Sequence, residues 1–453
     1  MIISPQPWRR FGAPGNRLVK FLRAWFTNVK PVDRLALLVL AVILVVNLAA
    51  WQVVVGRAEA VFEPVAGGTF TEAILAANQA EVDKQLARLT HTGLLRFDEN
   101  HQIQPAVATA WEIKADGREY HLTLQDKFDA PSVRDQLTTQ KDTLSDVTIE
   151  APEAHKLVIT LVQPFGPFLE ELTKPTLPYG PFVVKKRNSR EITLERNPES
   201  VAPNVLLDRV VVTVYHEKSD YERAWADRNA MGFINVKNGT SRYSHHQLAL
   251  PRETVLFFNL DRKNIFPKDL RGKLHNNEPV GDNVQFTITT SSNEANKQAA
   301  TELKQRFEGL GAKIDVKLVD LSELERDIIP KRDYDALLMG IDFGADPDPY
   351  LFWHSSQIGD KGRNLSQFVN KDADKLVEQA RLITDPNARQ EKYAAFQKVI
   401  DAEAPAIFLG KQVVDYELST KVKGAKIGQG VTVSDRFGNI NEWHLRNKKV
   451  RKK

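Results

Sequence analysis

None of the 453 residues is cysteine. That excludes disulfides, thiolate zinc sites, a cysteine nucleophile and a cysteine-linked lipid anchor. The glycine-rich phosphate cradles GxGxxG and GxxxxGKS/T do not occur, nor does the HExxH zinc pattern or a Gly-x-Ser-x-Gly nucleophile elbow. Internal repeats and low-complexity tracts are also missing. The remaining composition, 42% hydrophobic and 26% charged, is that of a globular chain and excludes collagen, coiled coil and wholesale disorder. The length suits one large two-lobed domain or two to three ordinary ones.

Charge is unevenly placed. Residues 1–34 hold seven basic groups (Arg9, Arg10, Arg17, Lys20, Arg23, Lys30 and Arg34) against Asp33, and residues 447–453 hold five more. Without these two segments the body has 50 basic and 57 acidic residues and is net −7, which argues against nucleic acid as a partner. Between the basic lead and the body, residues 35–56 run for 22 positions without a charge. Roughly 20 apolar residues cross a bilayer core as a helix. The basic flank precedes the run, so the expected topology is a cytoplasmic segment 1–34, a transmembrane helix 35–56 and an extracytoplasmic body. A cleaved signal peptide is the competing reading, with Ala58-Glu59-Ala60 resembling a cleavage site, but the lead and the apolar run are both too long for one. Leu18, Phe21, Leu22, Trp25 and Val29 form an apolar helical stripe among basic residues, suited to an anionic inner membrane surface or to a simple orienting lead.

The body alternates short strands and helices. Runs at 156–162, 209–215 and 254–260 are β-rich, and Tyr120, Leu122 and Leu124 alternate with polar residues. Segments 131–145 and 261–283 lack an apolar pattern and read as loops. Strands at 284–290, 313–319 and 334–341, separated by helices, form a β-α-β-α-β order that implies parallel pairing. Ser291-x-x-Glu294 has capping-box spacing, Asp372 can cap one later helix, and Asp385 with Pro386 can start the next. Residues 447–453 read as a solvated basic tail.

Directly after the strand ending at Ile341 comes a cluster of carboxylates and aromatics: Asp342, Asp346 and Asp348 with stiffening prolines, then Tyr350, Phe352, Trp353 and His354. Ligands of parallel α/β sheets bind beyond the carboxyl ends of strands. Carboxylates beside aromatic faces suit a cationic group such as a peptide α-ammonium. The competing reading is a turn whose aromatics fill the core. A hard-cation site is a further alternative, though the pattern lacks the glycine and terminal glutamate of a calcium loop. His354-Ser355 is no evidence of a triad by adjacency alone, and His245-His246 reads as a pair of solvated loop histidines.

At this point the ordered segments 69–125, 158–172 (VITLVQPFGPFLEEL), 255–260 (VLFFNL), 346–357 (DPDPYLFWHSSQ) and 364–409 resemble the extracytoplasmic solute-binding proteins of family 5, the oligopeptide-, dipeptide- and nickel-binding receptors of ABC importers. The resemblance implies an α/β, periplasmic-binding-protein-like fold with a ligand cleft between lobe I (62–260 with 404–446) and lobe II (261–403). It implies that Asp348 or Asp346 pairs with a ligand's α-ammonium, with Tyr350 and Trp353 as neighbouring contacts. Relative to the family pattern, the stretch between Leu260 and the strand at 284 and the stretch 127–140 are shortened. The expected protein is therefore a membrane-anchored receptor, not an enzyme, with no cofactor. Its partners would be a peptide or similar small solute, an ABC permease and membrane lipid. The alternatives are a scaffold that keeps the fold for a structural or sensory envelope role and, more remotely, a metal-dependent hydrolase using the aspartate cluster.

Overall fold

A computed structural model describes residues 30–58, 60–114, 117–139, 147–202, 204–236, 241–262 and 264–451. The stripe at 18–29 and most of the basic lead lie outside these residues. The chain divides into two compact units, Met1–Pro64 with Asn447–Lys453, and Val65–Arg446.

In the first unit, residues Pro31–Ala58 form one helix of 28 residues, about 42 Å long at 1.5 Å per residue. Its apolar side chains from Leu38 to Trp51 are all exposed. The longest stretch of this helix with described side chains is 38–51, and among the described residues no helix is long and apolar enough to cross a membrane. After one residue the strand Ala60–Val65 begins, and it pairs with the strand Arg446–Arg451. The expected loose tail is thus corrected as far as residue 451: backbone hydrogen bonding to a second strand holds it, despite its charges.

The second unit is built on a ten-stranded mixed sheet. From one edge come three parallel strands, Lys313–Val319, Gln285–Ser291 and Ala336–Asp342, as the β-α-β-α-β order requires. At the centre lie two long antiparallel strands, Tyr243–Phe258 and Ala406–Ser419, of 16 and 14 residues. Gly232–Ile234, Thr69–Leu75, Arg209–Tyr215, Glu191–Arg196 and Phe182–Arg187 complete the other side. A separate four-stranded antiparallel sheet comprises Ala108–Ile113, Glu119–Leu124, Lys156–Leu161 and Val147–Glu153. Its buried row Tyr120, Leu122 and Leu124 packs on Leu157, Ile159 and Phe168.

The central strands change core along their length. Leu248 and Leu250 pack with Val414, whereas Val255 and Phe257 join a cluster with Leu337, Trp353 and Ala406. Register breaks fall between Ala249 and Glu253 and between Thr254 and Val255. Pro251 lies in the first break, where it has no N–H to offer a ladder. Gly410, opposite Thr254, adopts φ +127°, a conformation open to glycine but rarely to other residues. The changeover therefore lies at about residues 250–255 and 408–414, inside the strands.

The segment 131–139, expected to be a loop, is instead largely the helix Ala130–Thr138. Asp129 caps it, and Val133 and Leu137 bury its inner face; residues 140–146 lie outside the described residues. Lys268–Asn276 is likewise a helix, with Leu270 and Leu274 inward. Asn370 and Asn293, not Asp372 and Ser291, cap their helices. Asp385 caps Pro386–Glu403 as expected. His245 and His246 lie in the strand Tyr243–Phe258, and His245 Nδ1 is 2.8 Å from Glu417 Oε1.

The strand Thr69–Leu75 carries a charged group into the core. Glu72 is fully buried; Arg436 Nε donates to it at 2.9 Å and the Tyr416 hydroxyl at 2.7 Å. Burial pushes the Glu72 carboxyl up, against the pull of Arg436 and of the Tyr416 hydrogen bond.

Candidate functional site

The turn 343–349 leaves the strand Ala336–Asp342 and enters the short helix Tyr350–Trp353. The strand end (Asp342) and the turn (Asp346 and Asp348) carry the three aspartates of the sequence cluster, and each binds an arginine of this chain. Arg252 Nε donates to Asp342 at 2.7 Å across the sheet. Arg381 Nε, on the helix Lys371–Arg381, donates to Asp348 Oδ2 at 2.7 Å, and Tyr350 N–H donates to Asp348 Oδ1 at 3.0 Å. Arg389, on Pro386–Glu403, donates to Asp346 Oδ2 through Nε at 2.8 Å, with Nη2 2.7 Å from the same oxygen as an ion pair, while the Tyr393 hydroxyl donates to Asp346 Oδ1 at 2.7 Å.

The two arginines differ in freedom. The Arg389 side chain is 1% exposed. It also donates to the carbonyls of Ile383 and Thr384 and, through a short charge-assisted bond, to Glu170 on the helix Phe168–Glu171. The Arg381 side chain is 24% exposed, and its guanidinium lies 4.0 Å over the Tyr350 ring.

Arg389 thus links the core under the four-stranded sheet, to which Phe168 belongs, with the helices beyond residue 380. The backbones are close there as well. Gly166 N–H donates to Arg381 O at 2.6 Å, and a Cβ on Gly166 would stand 2.0 Å from Ile383 O. Only glycine fits that approach.

Burial dominates the electrostatics. It pushes the Glu170 carboxyl up to about 7, with Arg389 opposing and Asp346 reinforcing the shift. Asp346 is raised for the same reason, opposed by Arg389 and the Tyr393 hydrogen bond. Burial works against the charge on Arg389, but Asp346 and Glu170 outweigh it and hold the guanidinium protonated. Glu170 Oε2 is buried without a hydrogen-bond partner.

No family model matches the chain. Over 132 residues it is 31% identical to the oligopeptide-binding protein AppA of Bacillus subtilis, a match covering 28% of this chain and 24% of that relative. It is 22% identical to the probable D,D-dipeptide-binding periplasmic protein DdpA of Escherichia coli, over 71% of this chain and 82% of that one. The structure of Bacillus subtilis AppA in complex with a nonapeptide superposes with a TM-score of 0.63 at 17% identity, over 85% of this chain and all of the other. Its relatives are family 5 solute-binding proteins of ABC transporters. The fold is accordingly α/β and periplasmic-binding-protein-like, and the relatives are binding proteins rather than enzymes.

The predicted site residues sort by their contacts. Asp346, Asp348 and Tyr350 come together. Trp353 does not join them: it is 1% exposed and packs among Phe257, Phe368 and Phe408, so its role as a ligand contact is corrected to core filling. Tyr350 stacks on His354 with centroids 4.2 Å apart. The aspartates of the hard-cation reading are already paired, with three different arginines, and among the described residues no group of three or more His, Asp or Glu is placed to hold a metal ion. His354 acts as a helix cap: Nδ1 accepts Ser356 N–H at 3.0 Å, and Ser355 Oγ donates to Asp374 instead.

The residues missed from the sequence are Arg381, Arg389 and Glu170. One signal was present. Arg389 falls on the helical stripe that continues through Tyr393, Phe396 and Ile400, all buried. An arginine on an apolar face needs a buried anion.

Proposed function

We propose that this protein is an extracytoplasmic receptor that captures peptides and presents them to an ABC permease, held to the membrane by residues 35–56. The likeness in fold to a peptide-bound oligopeptide-binding protein carries this reading. The uncharged run of 22 residues behind a basic lead, inside a helix whose described apolar side chains face outward, supports the anchor. Within the site, Asp348 is the carboxylate that receives a peptide α-ammonium. Its counter-ion Arg381 is partly exposed and makes a single side-chain hydrogen bond to it, so another cation can take its place. Asp346 is locked by Arg389 and Tyr393. Titrating the detergent-solubilised full chain with peptide mixtures, by thermal shift and then calorimetry, tests the proposal; no response to any peptide would overturn it.

The tie from Glu170 through Arg389 to Asp346 favours a second reading. It satisfies one of the two aspartates wholly from within the chain, as a scaffold with a structural or sensory envelope role would. Unchanged stability across the peptide titration, together with co-purification of envelope proteins other than a permease, would support it.

A further inference from the structure

The strand Arg446–Arg451 is the least expected element, and its placement points to a partner. It pairs with Ala60–Val65, which begins one residue after the helix Pro31–Ala58. A Cβ on Gly67 would stand 3.0 Å from Arg446 Nη1, and one on Gly68 would stand 3.0 Å from a Leu445 methyl. Residue 446 therefore lies near the Val65 end of the pair. The strand runs back antiparallel toward Ala60 and the end of the helix. Residues 448 and 449 follow residue 446 in that direction.

Lys448 and Lys449 are both exposed. Successive residues of a strand point to opposite faces, so Arg446 and Lys448 lie on one face and Lys449 on the other. Lys452 and Lys453 follow in sequence, and Glu59 and Glu63 are the acids of the partner segment. Cations on both faces of a two-stranded ribbon suit a diffuse anionic layer surrounding the ribbon. A single docking groove would need them on one face.

We propose that the strand Arg446–Arg451 binds the anionic phospholipid headgroups of the extracytoplasmic leaflet, at the place where the helix leaves the membrane. This rests on the reading that residues 35–56 span the bilayer. The paired strands then form a short stalk with a second, electrostatic attachment beside the hydrophobic one.

The absence of cysteine allows a clean test on the full chain. Asn447→Cys, an exposed position, is labelled with a fluorophore, and the protein is reconstituted in phosphatidylcholine liposomes with or without phosphatidylglycerol. Quenching by a headgroup-spin-labelled lipid should be stronger with phosphatidylglycerol and should weaken in high salt. Lys448→Gln and Lys449→Gln should each lower the population in contact roughly fivefold, the effect of one surface cation near an anionic leaflet. Equal quenching in both lipids, in protein that floats with the liposomes, overturns the inference. Protein that does not float at all overturns the anchor instead.

Discussion

Arg381 donates to Asp348 from Nε at 2.7 Å, so the carboxylate proposed to receive a peptide α-ammonium already holds a cation from its own chain. A ligand must compete with that guanidinium, which also gains from lying over the Tyr350 ring. Arg381→Gln should therefore raise affinity for peptides with a free N-terminus by about tenfold, equivalent to ~1.4 kcal/mol. N-acetylated peptides should gain nothing. Adding Asp348→Asn should abolish the gain, because both changes act on one pair. Calorimetry on the wild type, each single variant and the double variant decides it; equal gains for free and acetylated peptides would remove the ammonium from Asp348.

The Glu170 carboxyl, pushed up to about 7 by burial, makes stability depend on pH. Arg389, Asp346 and the Tyr120 hydroxyl are the ionisable groups around it. Its folded pKa lies above the ordinary 4.5, so the folded state binds the extra proton between these values. Stability from this group is thus present at low pH and is lost as pH rises through about 7. Between pH 5 and 8, urea unfolding of the wild type should lose roughly 2–3 kcal/mol relative to Glu170→Gln. Parallel pH profiles would show that the carboxyl titrates normally.

Removing the charge partner of Glu72 should be severe. Arg436 and Glu72 are both fully buried, so Arg436→Met leaves an unpaired carboxylate in the core. Breaking such a pair costs about 3–5 kcal/mol. Glu72→Gln in the same chain should restore part of the loss. A double variant no more stable than Arg436→Met, by denaturant titration, would mean that packing and not charge is responsible.

Trp353 offers a test of the corrected assignment. Trp353→Ala should lower stability by roughly 3–5 kcal/mol, the usual loss for a buried large aromatic. Trp353→Phe should fold, with peptide affinity unchanged. A large drop in affinity in the folded Phe variant would return Trp353 to the ligand.

The sequence was most legible where one physical signal acts alone. A continuous β-branched run placed Arg209–Tyr215, and alternation placed Lys313–Val319, each to the residue. The helix Ala130–Thr138 was missed because only Val133 and Leu137, with Ala130, mark its inner face among polar neighbours. The histidines at 245 and 246 looked like loop residues because their strand continues through polar positions beyond the apolar run at 254–258. At the site, the aspartates were readable as a cluster of like charges. Their counter-ions lie 33 and 43 residues away on other helices, and only tertiary packing brings them together.

The paired central strands impose an order of completion on a chain that emerges from its N-terminal side. The cores around Leu337 and Phe286 draw on residues 255–407, one uninterrupted stretch that can close as soon as it is made. The core around Phe70 and Val212 cannot: it also needs Tyr416, Leu418, Phe437 and Trp443. The region begun first is finished last, and its apolar strands wait exposed while more than half of the chain is still being delivered, an interval in which a holding chaperone would have most to protect.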